Sequence, residues 1–352
     1  MTLDLGQDAV SLTAALVDIE SVSGNEQRIA DEVERVLRPL AHLRVERVGH
    51  SVIARTALGR PERVVIAGHL DTVPLADNLP ARRDGSRMYG LGTCDMKGGV
   101  AVALRLAATV PEPSRDVTYV FYECEEVEAD RNGLGRMSRE HPDWLTADFA
   151  ILMEPTNATV EGGCQGTMRA EITTTGQRAH SARSWMGSNA IHAAQPVLAR
   201  LLAYAPRVAE VDGLTYREGL NAVGIAGGVA SNVIPDRCAV TVNFRFAPDR
   251  DVAMAEEHLR EVFDGFEIEI RDSAPGARPG LDVPAAASFV SAIGRPPMAK
   301  YGWTDVSLFS SLGVPAVNYG PGDPNVAHAR HEHVEVSQIL ECEERMAAWL
   351  TR

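Results

Sequence analysis

The sequence predicts an α/β protein in two parts. The larger is a catalytic-type domain on a central mixed sheet with helices on both faces, and the smaller is a two-layer α+β domain inserted into it. Three observations carry this expectation. Segments up to residue 153 interleave strand and helix patterns; the stretch after Cys164 changes to the order β-α-β-β-α-β; and the Pro/Gly-rich run 273–280 closes that stretch. At 352 residues the chain exceeds what one compact core usually holds. The expected division is 1–166 with 281–352 for the larger domain and 167–280 for the inserted one.

Residues 8–19 and 25–37 place apolar side chains at helical spacing, with Ser23-Gly24-Asn25 as loop and cap between them. Residues 45–56 and 63–67 read as strands, 100–109 as a largely apolar helix, and 117–122 and 150–153 as further strands. In the second part, 169–175 alternates apolar and polar residues and 190–204 is an amphipathic helix. Segments 222–230 and 236–246 read as an antiparallel pair, 251–263 as a helix and 266–271 as a strand. That order is ferredoxin-like. Within 238–246, Val240, Val242, Phe244 and Phe246 share one face while Thr241, Asn243 and Arg245 share the other, the pattern of a half-buried sheet. Beyond the linker, 313–320 is a short apolar strand ending in a Gly/Pro loop, and 336–350 closes the chain as a helix.

Composition bounds the function. Hydrophobic residues at 45% and charged residues at 23% are ordinary for a soluble enzyme. A formal charge of -14 would repel nucleic acid and anionic membranes, so a small-molecule partner is expected, and an anionic one would have to meet locally placed arginines. No basic segment followed by an apolar core opens the chain, and no apolar run is long enough to span a bilayer; a cytoplasmic location is expected. The five scattered cysteines read as reduced thiols, with Cys94 and Cys124 filling space.

The chemistry starts at 64–72. A β-branched run leads into Gly68-His69-Leu70-Asp71, where two residues of spacing on a strand would put an imidazole and an orienting carboxylate on one face. Four later stretches repeat the feature of polar groups after an apolar strand or in a Gly-rich loop: Gly92 to Gly99 (G-T-C-D-M-K-G-G), Glu123-Cys124-Glu125-Glu126, Met153-Glu154-Pro155-Thr156, and Ala327-His328-Ala329-Arg330-His331-Glu332. Ligands bind at the carboxyl ends of strands in open α/β sheets, so these stretches can converge on one crevice. Two histidines and three carboxylates suit zinc or a similar divalent ion, with a carboxylate able to bridge two. Metal-assisted hydrolysis is the natural reaction.

Together, in this order and over nearly the whole chain, these motifs resemble the zinc aminoacylase/carboxypeptidase family, which includes desuccinylases, deacetylases and carboxypeptidases. The resemblance implies two Zn²⁺ per subunit, with Co²⁺ able to substitute. His69, Asp95 and Glu154 would hold one ion, and Asp95, Glu126 and His328 the other. Asp71 would bond the far nitrogen of His69, and Glu125 would be the general base. Glu123, Glu128 and Asp130 are assigned no role and read as a solvated acidic loop.

By the same resemblance, His180 would donate to the oxyanion across a homodimer formed through the inserted domain. Asn232 and Arg245 would bind a substrate carboxylate, with Arg178 adding positive charge and Thr304 in a substrate-contacting loop. The stretch from Ala179 through Trp185 into Gly187 and His192 favours removal of succinate from N-succinyl-LL-2,6-diaminopimelate. Acetylornithine deacetylase or another N-acyl hydrolase is the alternative. A non-catalytic metal-binding homologue would lack the base or a ligand, and all of these residues are present.

Overall fold

The computed structural model describes residues 2–352, which group into two compact units. The first comprises residues up to Gly162, Pro279–Met298 and Leu308–Arg352; the second comprises Gly163–Arg278 and Ala299–Ser307.

In the first unit an eight-stranded mixed sheet runs in the order Arg44–Val48, Ser51–Arg55, Asp116–Tyr122, Arg63–His69, Phe149–Leu152, Ala316–Asn318, Glu161–Gly162, Met298–Ala299. Four central strands are parallel, from Asp116–Tyr122 through Ala316–Asn318. Asp116–Tyr122 is buried at every position, as a strand covered on both faces must be. The helices Ala9–Val17, Lys97–Thr109, Pro284–Ile293 and Val336–Leu350 supply much of the covering core. Because the central strands run the same way, His69, Glu123 and Met153 all follow or end strands on one edge of the sheet.

Residues 45–56, expected as one strand, form a hairpin of Arg44–Val48 and Ser51–Arg55. The turn is made at Gly49, whose φ of 59° is in the left-handed region. Arg63–His69 ends at the histidine, so Asp71 lies beyond the strand and the shared-face argument does not place it. Helix Gly133–Glu140 and a three-stranded sheet of His333–Glu335, Arg87–Tyr89 and Arg82–Asp84 were not anticipated; their segments are too short or too charged to show a clear period.

The second unit is a four-stranded antiparallel sheet ordered Gly219–Gly227, Arg237–Phe246, Gly166–Thr175, Glu267–Ala274, with the first and last in the chain at its centre and one edge. This is the strand order of a ferredoxin-like layer. Val240, Val242, Phe244 and Phe246 are buried, packed with residues of the helices Gln195–Ala203 and Val252–Val262. The helix expected over 190–204 breaks into Ala190–Ala193 and Gln195–Ala203, because Pro196 starts a new first turn. A hairpin of Val208–Val211 and Leu214–Arg217 lies outside the expected elements; it turns at Asp212-Gly213, both at positive φ, a strong pair for a two-residue turn.

Residues 299–307 group with the second unit, where the linker-based boundary put them in the first. The reason is local bonding: Trp303 Nε1 and Ser307 Oγ both donate to the Pro275 carbonyl, and the Cys164 thiol faces the Thr304 carbonyl. All five cysteines are free and buried. No helix among the described residues is long and apolar enough to cross a membrane.

Candidate active site

The first unit gathers all five expected ligands. His69, at the end of its strand, is 1% exposed, and its Nε2 lies 3.1 Å from Asp95 Oδ1. The other oxygen of Asp95 is 3.4 Å from His328 Nε2, which is also 2.8 Å from Glu126 Oε1. Asp95 thus stands between two imidazoles, one on each carboxylate oxygen. Donor atoms of His69, Asp95 and Glu154 all lie within 4.8 Å of one another, as do those of Asp95, Glu126 and His328, and of His69, Glu125 and Glu126.

These donors fit divalent ions. Each set offers nitrogen and oxygen atoms of the kind zinc takes at about 2.0–2.2 Å, so the atoms within a set need move little to share one centre. Each imidazole turns its Nε2 toward carboxylates.

Asp71 holds this arrangement in a way its motif only half reveals. His69 Nδ1 is 3.0 Å from the Asp71 carbonyl oxygen and 3.5 Å from its carboxylate, so the backbone makes the shorter contact with the ring. The carboxylate instead accepts the backbone N–H of Glu125 at 3.0 Å and of Glu126 at 3.1 Å, along with the hydroxyl of Ser23 at 2.7 Å. One buried residue therefore orients the imidazole, chiefly through its carbonyl, and pins the loop that carries Glu125 through its carboxylate.

A second buried carboxylate acts on the same loop. Glu26 accepts from the Cys124 amide at 3.1 Å, the Cys124 thiol at 3.4 Å and the Gly24 amide at 2.8 Å. Cys124 needs the support, since its φ of 56° is unfavourable for a side chain with a Cβ. Glu123, expected as solvated, is 6% exposed and paired with Arg136, whose guanidinium also reaches the Val48 carbonyl. Its neighbours Glu128 and Asp130 are exposed. Nothing in the sequence marks Glu26, because the amide and thiol it holds belong to Cys124 in a distant segment.

The glycines of the 92–99 motif have a steric reason. A Cβ at Gly99 would overlap the Met153 carbonyl oxygen, and a Cβ at Gly320 would overlap the carbonyl oxygens of Met153 and Glu154. The helix start and the strand end can meet at Met153–Glu154 only without side chains there. Lys97 in the same motif is buried and donates to the Ile19 carbonyl at 2.7 Å; burial pushes its pKa down to about 7.

Electrostatics without metal follow from this crowding. Hydrogen bonds that the His328 ring donates to the Asp95 and Glu126 carboxylates raise it to about 10. Burial alone would lower His69, yet Asp71 and Asp95 outweigh it and hold it well above its ordinary value. Asp95 is held below the usual carboxylate range, the two histidines overcoming its burial. Metal-free, the raised His328 stabilises the fold fully below its unfolded pKa of about 6.5 and loses that contribution as pH rises through about 10. A ligating imidazole must be neutral, so metal uptake at pH 7.5 is expected to release one to two protons. Calorimetric titration in buffers of different ionisation enthalpy measures this; uptake with no proton release would contradict the pairing.

The expected substrate residues lie in the second unit. Arg245 is partly buried; its Nε donates to Asn243 Oδ1 at 3.1 Å, and no carboxylate among the described residues pairs with it. Thr304 is buried. Arg178 is exposed and already paired with Asp236 at 2.9 Å, which weakens its case as a substrate group. His180 is exposed with Nδ1 accepting the Ala182 amide at 3.0 Å, and the Asn232 carbonyl accepts the Ser181 amide at 2.9 Å. The residues around His180 and Asn232 are thereby tied together.

Comparison with known proteins supplies the lineage. Over 340 residues the chain is 58% identical to a Mycobacterium tuberculosis protein provisionally named a succinyl-diaminopimelate desuccinylase, covering 96% of each chain. It is 50% identical to the succinyl-diaminopimelate desuccinylase of Corynebacterium glutamicum over 96% of this chain and 95% of that one. A tripeptidase from Staphylococcus aureus shares the fold, with a TM-score of 0.78 at 19% identity over 99% of this chain and 98% of that one. Residues 65–352 match peptidase family M20/M25/M40, so the chain belongs to that family of hydrolases.

Proposed function

We propose that the protein hydrolyses the amide of N-succinyl-LL-2,6-diaminopimelate to succinate and LL-2,6-diaminopimelate, using two Zn²⁺ per subunit for which Co²⁺ can substitute. The observation that carries the hydrolytic reading is the placement of Asp95 between His69 and His328 with the Glu125 loop pinned beside it. The desuccinylase names of the 58% and 50% identical relatives support the choice of substrate.

His69, Asp95 and Glu154 would hold one ion and Asp95, Glu126 and His328 the other. Bound there, the ions supply Lewis acidity to the amide carbonyl and to the attacking water. Glu125 takes the proton of that water and delivers it to the departing amine; with the metals setting acidity, a weak base suffices. Asp71 keeps His69 in one orientation and Glu125 in place at the same time. Arg245, with its fork not committed to a protein carboxylate, is suited to read a substrate carboxylate in two parallel bonds, and Asn232 would contribute beside it. His180 would donate to the oxyanion. In this reading 1–166 with 281–352 is the catalytic domain and 167–280 the lid and dimerisation domain.

Zinc-loaded protein should turn over N-succinyl-LL-2,6-diaminopimelate with a kcat/KM at least about a hundredfold above that for N-acetylornithine, a margin that paired polar contacts readily supply. Equal or greater turnover of N-acetylornithine would replace this substrate with the deacetylase one.

A homodimer through the inserted domain is supported by its edge strand Gly219–Gly227, exposed from Asn221 onward and carrying Val223 at 61% and Ile225 at 56% exposure. Sedimentation at micromolar concentration is expected to give twice the 37.9 kDa chain mass. Monomers alone would rule out both the dimer and a trans role for His180.

A further inference from the structure

We propose that Glu332 is a positioning residue that locks Asp95 to the turn carrying His328, and thereby sets the affinity of the second metal position. The inference rests on the dinuclear reading above. Nothing in the ligand motifs singles Glu332 out; the case comes from what its side chain holds.

Glu332 is 1% exposed and turned into the protein. Its Oε1 accepts the backbone amides of Cys94 at 3.0 Å and of Asp95 at 3.1 Å. Its own backbone is fixed from the other side. The amide donates to the Ala329 carbonyl at 2.9 Å, and the carbonyl accepts from Gly90 at 3.1 Å. The next residue begins the strand His333–Glu335, paired in register with Arg87–Tyr89. Glu332 is therefore a rigid strut, anchored in a sheet at one end and gripping the Asp95 backbone at the other.

The Oε2 atom is buried without a hydrogen-bond partner. A buried carboxylate left half-satisfied is costly, and a merely space-filling position would be better served by an apolar side chain. Hydrogen bonds to two backbone amides are what the site gains in exchange.

The two metal positions depend on this strut unequally. His69 and Glu154 come from the ends of adjacent parallel strands, Arg63–His69 and Phe149–Leu152, and keep their spacing through the sheet. His328 comes from a turn, has a φ of 62° and is 49% exposed. Its distance from Asp95 has no such parallel pair behind it; Glu332 supplies a tie through the Cys94 and Asp95 amides, beside the Cys94 thiol on the Asp323 carbonyl at 3.1 Å. Loss of the tie should leave the position of His69, Asp95 and Glu154 largely intact and loosen that of Asp95, Glu126 and His328.

The test is a titration of metal-stripped protein with Zn²⁺ and with Co²⁺, reading stoichiometry and both affinities, with the cobalt absorption spectrum as a second readout. Near-ultraviolet circular dichroism verifies the fold. Glu332→Ala is expected to weaken the second ion by about 10–100-fold, the range for residues that orient ligands, while the first changes only a few-fold. Glu332→Gln keeps an oxygen for the two amides and is expected to hold two ions near wild-type affinity. If Glu332→Ala does not fold, Glu332→Asp, too short by one methylene to reach both amides, carries the same expected loss. The proposal is overturned if a folded Ala or Asp variant binds both ions as wild type does, or if Glu332→Gln loses the second ion as fully as they do. A wild-type chain that binds fewer than two ions would instead overturn the dinuclear reading.

Discussion

Replacing Glu125 by glutamine is expected to lower kcat for the succinyl amide by about 10²–10⁴-fold, the usual worth of a general base, while the chain still binds two ions. The separation of effects follows from how the loop is held. Asp71 grips the backbone amides of residues 125 and 126, and Glu26 grips that of Cys124, so the loop keeps its path whatever side chain stands at 125. Glutamine has the same shape and cannot take a proton. KM should change little, because the carboxylate acts on water rather than on the bound substrate. Metal analysis beside steady-state kinetics checks both halves. A Gln variant with wild-type kcat would remove Glu125 from proton transfer, and one that had lost its ions would make it a ligand.

Asp95→Ala is expected to have the broader effect. Its two oxygens face His69 and His328 separately, so one substitution takes a ligand from each position. Metal content should fall below one ion per chain, where His69→Ala should spare part of it. Activity should drop by more than about a thousandfold, since both positions that would supply Lewis acidity lose a ligand. The metal-free protein should feel the change too. Asp95 has a depressed folded-state pKa, so its stabilising pairing is present above about 3.9 and fades as pH falls through the folded value. Without it, the two histidines lose a shared partner and should titrate lower. Elemental analysis and an NMR titration of the histidines report these effects. Two tightly bound ions in the Ala variant would refute the bridging role.

The candidate ligands could be named from the sequence because each lies in a short motif just after an apolar strand or in a Gly-rich loop, and because the motifs together resemble a known family. His69, Asp95, Glu126, Glu154 and His328 needed no knowledge of the loops between them. Glu26 and Glu332 were not legible, because they act through backbone amides of distant segments, and an amide donor leaves no mark on the sequence. The Asp71 role was only half legible: its nearness to His69 could be read, its grip on residues 125 and 126 could not. Much the same holds for the fold. The inserted sheet shows its alternation plainly in Val240, Val242, Phe244 and Phe246, whereas the hairpin at 44–55 turns at Gly49-His50, a pair outside the strong two-residue turn signals.

Gly99 and Gly320 press on the same peptide from two directions, and what they control is a tolerance. With hydrogen atoms at both positions the Met153–Glu154 backbone has one seat; a methyl group at either would have to be accommodated by displacing it. Overpacking of this kind typically costs about 1–3 kcal/mol, and here the displaced peptide carries a candidate ligand. Two positions with no functional group therefore gauge where a carboxylate sits relative to Asp95 across the cluster. A survey of this protein by reactive side chains alone would pass over them, although a single added carbon at either could mis-set the site without removing any group that does chemistry.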